Sequence, residues 1–275
     1  MTTGTALGGG GHRDRVEILG ILVDRVDLAG AAARVRGFIE ARRTGLGPGG
    51  RLVVTPNPEM IQAARRDPAL AELINRADLA VPDGTGVVAA SRLLGDPLPA
   101  RVAGYDLLLE LLRLADEGRW RVFLLGTHPE TVAEAARRVA RDHPGLELTG
   151  FHHGYFSPDE VPALVERIRA ARPDLLVAAL GSPKQERWLA ENLGATGATV
   201  GLGVGGSLDV LAGRVRRAPT AFQRLHVEWL YRLIREPRRV RRILGALPGF
   251  AWAVLVKRLR GRPALSSHKG GYGHG

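Results

Sequence analysis

One carboxylate stands where an apolar run ends. The stretch "ADLAVPDGTG" (77–86) places Asp83 behind Val81 and Pro82 and ahead of Gly84, Thr85 and Gly86. Two chemistries are open to it. Asp is a favoured N-cap and could simply close a helix that begins near Gly84. A carboxylate held within hydrogen-bond reach of a substrate hydroxyl can instead take its proton as a general base. The flanking glycines suit the second use, because residues without a Cβ let the backbone approach a ligand closely.

A second signal is "GLGVGG" (201–206), which matches G-x-G-x-x-G at Gly201, Gly203 and Gly206. A dinucleotide site of that kind needs an acid about 20 residues further on and sits in the first strand–helix turn of its domain. Residues 221–226 read "AFQRLH", and the motif falls late in the chain. The better use of Gly203, Gly205 and Gly206 is a loop whose N–H groups, with a helix start behind them, receive a diphosphate. No G-x-x-x-x-G-K-[ST] occurs, which excludes a P-loop. There is no D-x-D, so no carboxylate pair is indicated for a metal-bridged diphosphate, and no metal or other cofactor is expected. His152 and His153 are adjacent and would point to opposite faces of a strand, which argues against joint ligation.

Thr55 and Asn57 of "TPN", Arg101 of "ARVAGYD" and Gln185 of "GSPKQE" are further polar candidates. Singly, each also reads as a turn, cap, surface or helix residue. Their weight comes from the elements that must position them. "VEILGILVD" (16–24) reads as a strand, 28–43 as a helix and 51–57 as a short buried strand. Asn57 and Pro58 have the pattern of an N-cap and first helical residue. Strand and helix patterns then alternate through "LAVP", "RVFLLG" (121–126), "LELTG", "DLLVAAL" (174–180) and "ATVGLG". Such alternation of apolar strands with helices predicts an α/β fold, a Rossmann-like parallel sheet with helices on both faces. Ligands of such sheets sit beyond the C-terminal strand ends. "TPN", "PDGTG", "LGTHP", "GSPKQE" and "GVGGSLD" all follow predicted strands, so the fold would gather them on one rim.

The net charge of +11 is concentrated at one end. Residues 214–260 hold 13 Lys or Arg against Glu228 and Glu236, and the rest of the chain is balanced. Arg232, Arg235, Arg239 and Arg242 recur every three or four residues, which makes one stripe on a helix. Pro237 would kink or restart that helix. "ILGALPGFAWAVLV" (243–256) is too short and interrupted to span a bilayer, which needs about 20 residues. With Phe250 and Trp252 inside it and Arg and Lys around it, the run suits an anionic membrane interface. The alternative is an amphipathic helix covering the domain's own core. The predicted organisation is a disordered leader (1–15), an α/β core (16–213), a basic helical appendage (214–262) and a disordered tail (263–275). The leader has no apolar segment of a signal peptide, and the lack of cysteine fits a reducing compartment.

In order along the chain, "TPNPEMI", "DLAVPDGTGVV", "RVAGYDL", "FLLG", "GYF", "LGSPKQERW", "GVGGSLDVLAG", "RAP" and "EWLYRLIREPRR" resemble the WecG/TagA/CpsF family, glycosyltransferase family 26. The resemblance covers about residues 16–245. It implies a bacterial inverting enzyme that moves a sugar, often N-acetylmannosamine or its uronic acid, from a UDP donor to a polyprenyl-diphosphate-linked acceptor in surface-polymer synthesis. Asp83 then matches the family's proposed base. Thr55, Asn57, Arg101 and Gln185 match pocket positions, Arg232, Arg239 and Arg242 match appendage arginines, and Gly84 leaves room for the donor behind Asp83. A cytoplasmic protein held peripherally at the inner face of the membrane follows from the same resemblance, and self-association into a homo-oligomer is left open. Beyond residue 245 the apolar, Gly- and Pro-containing run departs from a purely basic family tail.

Two other readings compete. A non-catalytic nucleotide- or phosphate-binding module would keep the glycine loop and arginines yet tolerate Asp83→Asn. A nucleic-acid-binding protein would use the arginine stripe on phosphates but leaves the polar rim unexplained, so no nucleic-acid partner is expected.

Overall fold

The computed structural model describes residues 14–215 and 237–260, with the backbone alone described for 237–244 and 246. The leader through residue 13, the segment 216–236 with Arg232, and the tail from 261 lie outside the described residues.

Six parallel strands form the central sheet: β3 (Arg51–Val54), β4 (Leu79–Ala80), β5 (Arg121–Gly126), β6 (Glu147–His152), β7 (Leu175–Ala179) and β8 (Val200–Gly203), in the order β4-β3-β8-β7-β5-β6. Strand residues alternate between two cores, as the period of two requires. Val122, Leu124, Leu175 and Val177 face one core; Phe123, Leu125, Leu176 and Ala178 face the other. The first core is closed by α1 (Leu28–Arg43), α5 (Gly104–Gly118), α6 (Pro129–Asp142) and α9 (Ser207–Leu211). The second is closed by α2 (Pro58–Ala64), α3 (Pro68–Arg76), α4 (Thr85–Leu94), α7 (Val161–Ala171) and α8 (Lys184–Thr196). The expected three-layer α/β architecture is therefore present.

The N-terminal stretch departs from expectation. "VEILGILVD" is two strands, β1 (Arg15–Ile18) and β2 (Ile21–Asp24), paired antiparallel in a separate sheet. Leu19 and Gly20 carry φ of 53° and 89°. That geometry reverses a chain in a two-residue hairpin, and its twist matches the flanking strands. A lone glycine in an apolar run was the available signal. The hairpin is pinned by Asp24, which is fully buried: Arg34 and Arg15 contact its carboxylate at 2.7 and 3.2 Å, and it accepts from the Ala80 N–H at 2.8 Å. This bond reaches β4, the strand that leads into Asp83.

The last described element is the helix α10 (Pro237–Arg260), which begins at Pro237 and continues through Pro248. It packs on α2 and α4. Phe250, Ala253 and Val254 face inward, and Phe250 and Val254 join the second core. Trp252, Leu255 and Leu259 face outward, with exposures of 68%, 48% and 57%. The reading of this run as an amphipathic helix covering the domain's own core therefore holds for its inner face. Phe250, expected at a membrane interface, is instead a core residue only 4% exposed. Among the described residues no helix is long and apolar enough to cross a membrane.

Candidate active site

Helices that leave adjacent strand ends toward opposite faces open a crevice between them. α2 leaves β3 toward the second core and α9 leaves β8 toward the first. β3 and β8 are neighbours, so their ends frame such a crevice, and the predicted polar clusters meet there. The Asp83 N–H donates to the Pro56 carbonyl at 3.1 Å, and the Val102 N–H donates to the Pro82 carbonyl at 2.8 Å. These bonds tie "TPN", "PDG" and "RVAG" side by side. Thr55, itself buried, donates through Oγ1 to the Gly203 carbonyl at 3.4 Å and joins the loop after β8. Gly104 sits against the Thr55 side chain. At the far side, Thr127 donates to Asp209 Oδ1 at 2.6 Å, linking the loop after β5 to α9.

Each local conformation has a cause. Asn57 caps α2, its Oδ1 accepting from the Met60 N–H at 2.9 Å, with Pro58 at the first position. Gly84, not Asp83, is the N-cap of α4, and as glycine it supplies no side-chain cap. The simple capping role for Asp83 is thereby set aside. Gly84 has φ 97°, a region that favours glycine, and it lies against Pro58. This φ turns the chain directly behind the carboxylate. α5, α6 and α8 also start without a side-chain cap, at Ala103, His128 and Pro183. The N-cap residues of these rim helices thus make no side-chain cap hydrogen bond, and a helix N-terminus attracts anions. Arg101 adds a cation to the rim, with Asp106 at 3.9 Å.

The glycine loop has its own support. The Gly205 N–H donates to Gln185 Oε1 at 2.9 Å. Gln185 Nε2 donates to Glu186 Oε1 at 2.7 Å. Gln185 is 2% exposed, so its amide lies beneath the loop. Gly203 is flush against it: a Cβ there would come within 2.9 Å of Gln185 Nε2. Gly205 has φ 54° and open space where a side chain would stand. Gly201 is different, lying within β8 with Leu189 and Leu193 filling the room of a Cβ. It makes no phosphate-binding turn, which removes the dinucleotide pattern's first element.

Burial raises the carboxyl pKa of Glu186, opposed by hydrogen bonds from Gln185, its own N–H and Ser182. Burial likewise lowers His152, partly countered by its bond with the His153 carbonyl. Among the described residues no three His, Cys, Asp or Glu gather as a metal-binding set. Arg239 and Arg242 lie on the first turns of α10, where only the backbone is described; Arg232 lies outside the described residues. Sequence reasoning passed over Glu186, Asp209, Thr127 and Asp24. Thr127, Glu186 and Asp209 lie in the quoted clusters "LGTHP", "GSPKQE" and "GVGGSLD", but nothing in the spacing marks Asp24.

A parallel α/β sheet with polar loops gathered at a crevice between its strand ends has the ligand-binding architecture of the open α/β class, and the family follows from comparison. Residues 16–264 match the model of the glycosyl transferase WecG/TagA/CpsF family, and the chain belongs to that family. It is 42% identical over 206 residues to an N-acetylglucosaminyldiphosphoundecaprenol N-acetyl-beta-D-mannosaminyltransferase of Bacillus spizizenii strain W23, covering 75% of this chain and 79% of the relative. It is 36% identical over 240 residues to the protein of the same name in Staphylococcus aureus strain MW2, covering 87% and 92%. The protein is a glycosyltransferase.

Proposed function

We propose that the protein transfers an N-acetylmannosaminyl group, with inversion, from UDP to a polyprenyl-diphosphate-linked N-acetylglucosamine. The observation that carries this reading is the convergence of "TPN", "PDG", "RVAG" and "GVGG" around Asp83, joined by the hydrogen bonds above. The relatives' names supply the sugar and the acceptor.

The acceptor hydroxyl attacks the anomeric carbon as the bond from that carbon to the UDP oxygen breaks. Its proton passes to the Asp83 carboxylate, and the electron pair leaves on the UDP diphosphate. That charge is met by N–H groups of the glycine loop and helix starts, by Arg101 and by the appendage arginines Arg232, Arg239 and Arg242. Thr55 holds the two strand ends in register, and Asn57 fixes the start of α2. No metal is required in this scheme.

A lipid-linked acceptor needs an enzyme at a membrane surface. The exposed Trp252, Leu255 and Leu259, beside Arg258 and Arg260 on the same helix, have the aromatic, apolar and basic composition that favours an anionic interface. Peripheral attachment to the cytoplasmic face through α10 is the corresponding proposal.

The test is turnover of a panel of UDP-sugars with a prenyl-diphosphate N-acetylglucosamine analogue. Asp83→Asn should lower kcat on the order of 10²-fold or more, the usual range for a general base, while UDP binding by calorimetry persists. Near-normal turnover by the folded variant would remove Asp83 from the mechanism.

A further inference from the structure

One fully buried acid has no part in the transfer chemistry. Glu186, on the first turn of α8, has no exposed surface. Its Oε1 accepts from Gln185 Nε2 at 2.7 Å. Its Oε2 is buried and meets no donor at hydrogen-bonding geometry, while Ser182 and the residue's own N–H lie close enough to the carboxyl to favour its charged form. A buried carboxyl is costly when its oxygens are not fully bonded, and packing alone would be served better by leucine at this site.

The use of the carboxyl lies in the neighbour it faces. An amide has an accepting end and a donating end, and Gln185 commits both. Its oxygen accepts from the Gly205 N–H at 2.9 Å and its nitrogen faces Glu186. Rotating the amide by half a turn would set its oxygen against Glu186 Oε1 and its NH₂ against the Gly205 N–H. Both hydrogen bonds would be lost, and like groups would face each other. Glu186 therefore sets which way the amide points. Gln185 is confined on its other side by Gly203, which has no room for a Cβ. The order of support is Glu186, then Gln185, then the loop 203–206.

We propose that Glu186 is a positioning residue: it fixes the orientation of the Gln185 amide and thereby holds the Gly203–Gly206 loop in the shape that receives the donor diphosphate. The loop's part in donor binding rests on the reading given under Proposed function; the positioning itself does not.

The experiment compares three substitutions. Glu186→Leu removes the acceptor, Glu186→Asp withdraws it by one methylene, and Glu186→Gln keeps an acceptor oxygen in place. Hydrogen exchange at Gly205 is measured without substrate. It should accelerate about tenfold in the Leu and Asp variants and stay near wild type in the Gln variant. With UDP-sugar, the donor KM should rise about fivefold in the first two, with kcat within about twofold, the pattern of lost ground-state binding. In a Gln185→Ala background, Glu186→Leu should add nothing, since its effect passes through the amide. If the Leu protein does not fold, the Asp variant, smaller and still acidic, decides. Wild-type Gly205 exchange and donor KM in the folded Leu or Asp variant would overturn the proposal, as would effects that add fully to Gln185→Ala. Should wild-type protein bind no UDP-sugar while Gly205 exchange follows the expected pattern, the positioning stands and the donor reading fails.

Discussion

Phe250→Ala probes how the C-terminal helix is held. The ring is 4% exposed and belongs to the second core. It approaches Gly86, three residues from Asp83, closely enough that a Cβ there would lie 3.9 Å from its edge. Truncating a buried Phe to Ala costs about 3–5 kcal/mol. At about 1.4 kcal/mol per decade, even the lower figure shifts the balance between docked and undocked α10 by about 10²-fold. Val254, Ala253 and the Lys257–Glu17 ion pair at 2.6 Å remain to oppose release. Because the helix packs chiefly on α2 and α4, the loss should be local opening rather than global unfolding. Hydrogen exchange across 247–260, with limited trypsin cleavage at Lys257 and Arg258, reads it directly. Exchange there should rise about 10²-fold while amides of β5 and β7 keep their protection. Trp252→Ala, at an exposed position on the same helix, should change stability by no more than about 0.5 kcal/mol and lower binding to anionic liposomes. Unchanged α10 protection in Phe250→Ala would refute the claim that this ring docks the helix. A uniform loss across the sheet would refute its local character.

Other perturbations test the site. Turnover should persist in EDTA, and complete loss restored by Mn²⁺ or Mg²⁺ would show that the diphosphate is neutralised by a cation. Gly203→Ala should weaken UDP binding, measured by calorimetry, because its Cβ would lie 2.9 Å from Gln185 Nε2. Gly205→Ala meets open space and should cost only the left-handed backbone term of about 1–2 kcal/mol; the reverse ranking would count against the Gln185 support. Melting curves should show a pH signature for Glu186. Burial holds its folded pKa above the ordinary glutamate value of 4.5, so its protonation stabilises the fold below that pH, and the contribution is lost as pH rises through the folded pKa. Glu186→Gln should therefore gain in Tm relative to wild type as pH rises above 4.5, and a pH-independent difference would refute it.

Much of the fold was legible because the sheet is parallel and buried on both faces. Such strands are written as continuous apolar runs, and "RVFLLG" and "DLLVAAL" reappear as β5 and β7. The rim was legible because the C-terminal ends of such strands fall together whatever the strand order. The hairpin was not, since two short apolar strands joined through one glycine look like one longer strand until φ at Leu19 is known. Nor could the pattern tell Phe250 from Trp252. Both lie in one apolar run, and only the packing of α10 on α2 and α4 separates an inner face from an outer one. Gln185 and Glu186 show a further limit. Composition marks both as polar, yet only the position of the Gly205 N–H reveals that the first is committed to the loop and the second to the first.

The placement of α10 bears on how a lipid-linked sugar could reach Asp83. The helix rests on α2 and α4, the two helices whose first turns follow Asn57 and Asp83. Its outward stripe of Trp252, Leu255 and Leu259 is therefore set at a fixed distance from the carboxylate, through Phe250, Gly86 and Pro58. A surface embedding that stripe by the 5–10 Å or so usual for interfacial helices would fix how far the crevice stands from the headgroups. Acceptors carried on a prenyl diphosphate present their sugar at that boundary, whereas a free sugar gains nothing from it. On the proposed function, undocking α10 should then penalise a long-chain acceptor in vesicles more than a short soluble one. Equal losses for both acceptors in Phe250→Ala would assign α10 to the crevice itself, and loss with the soluble acceptor alone would contradict the membrane role.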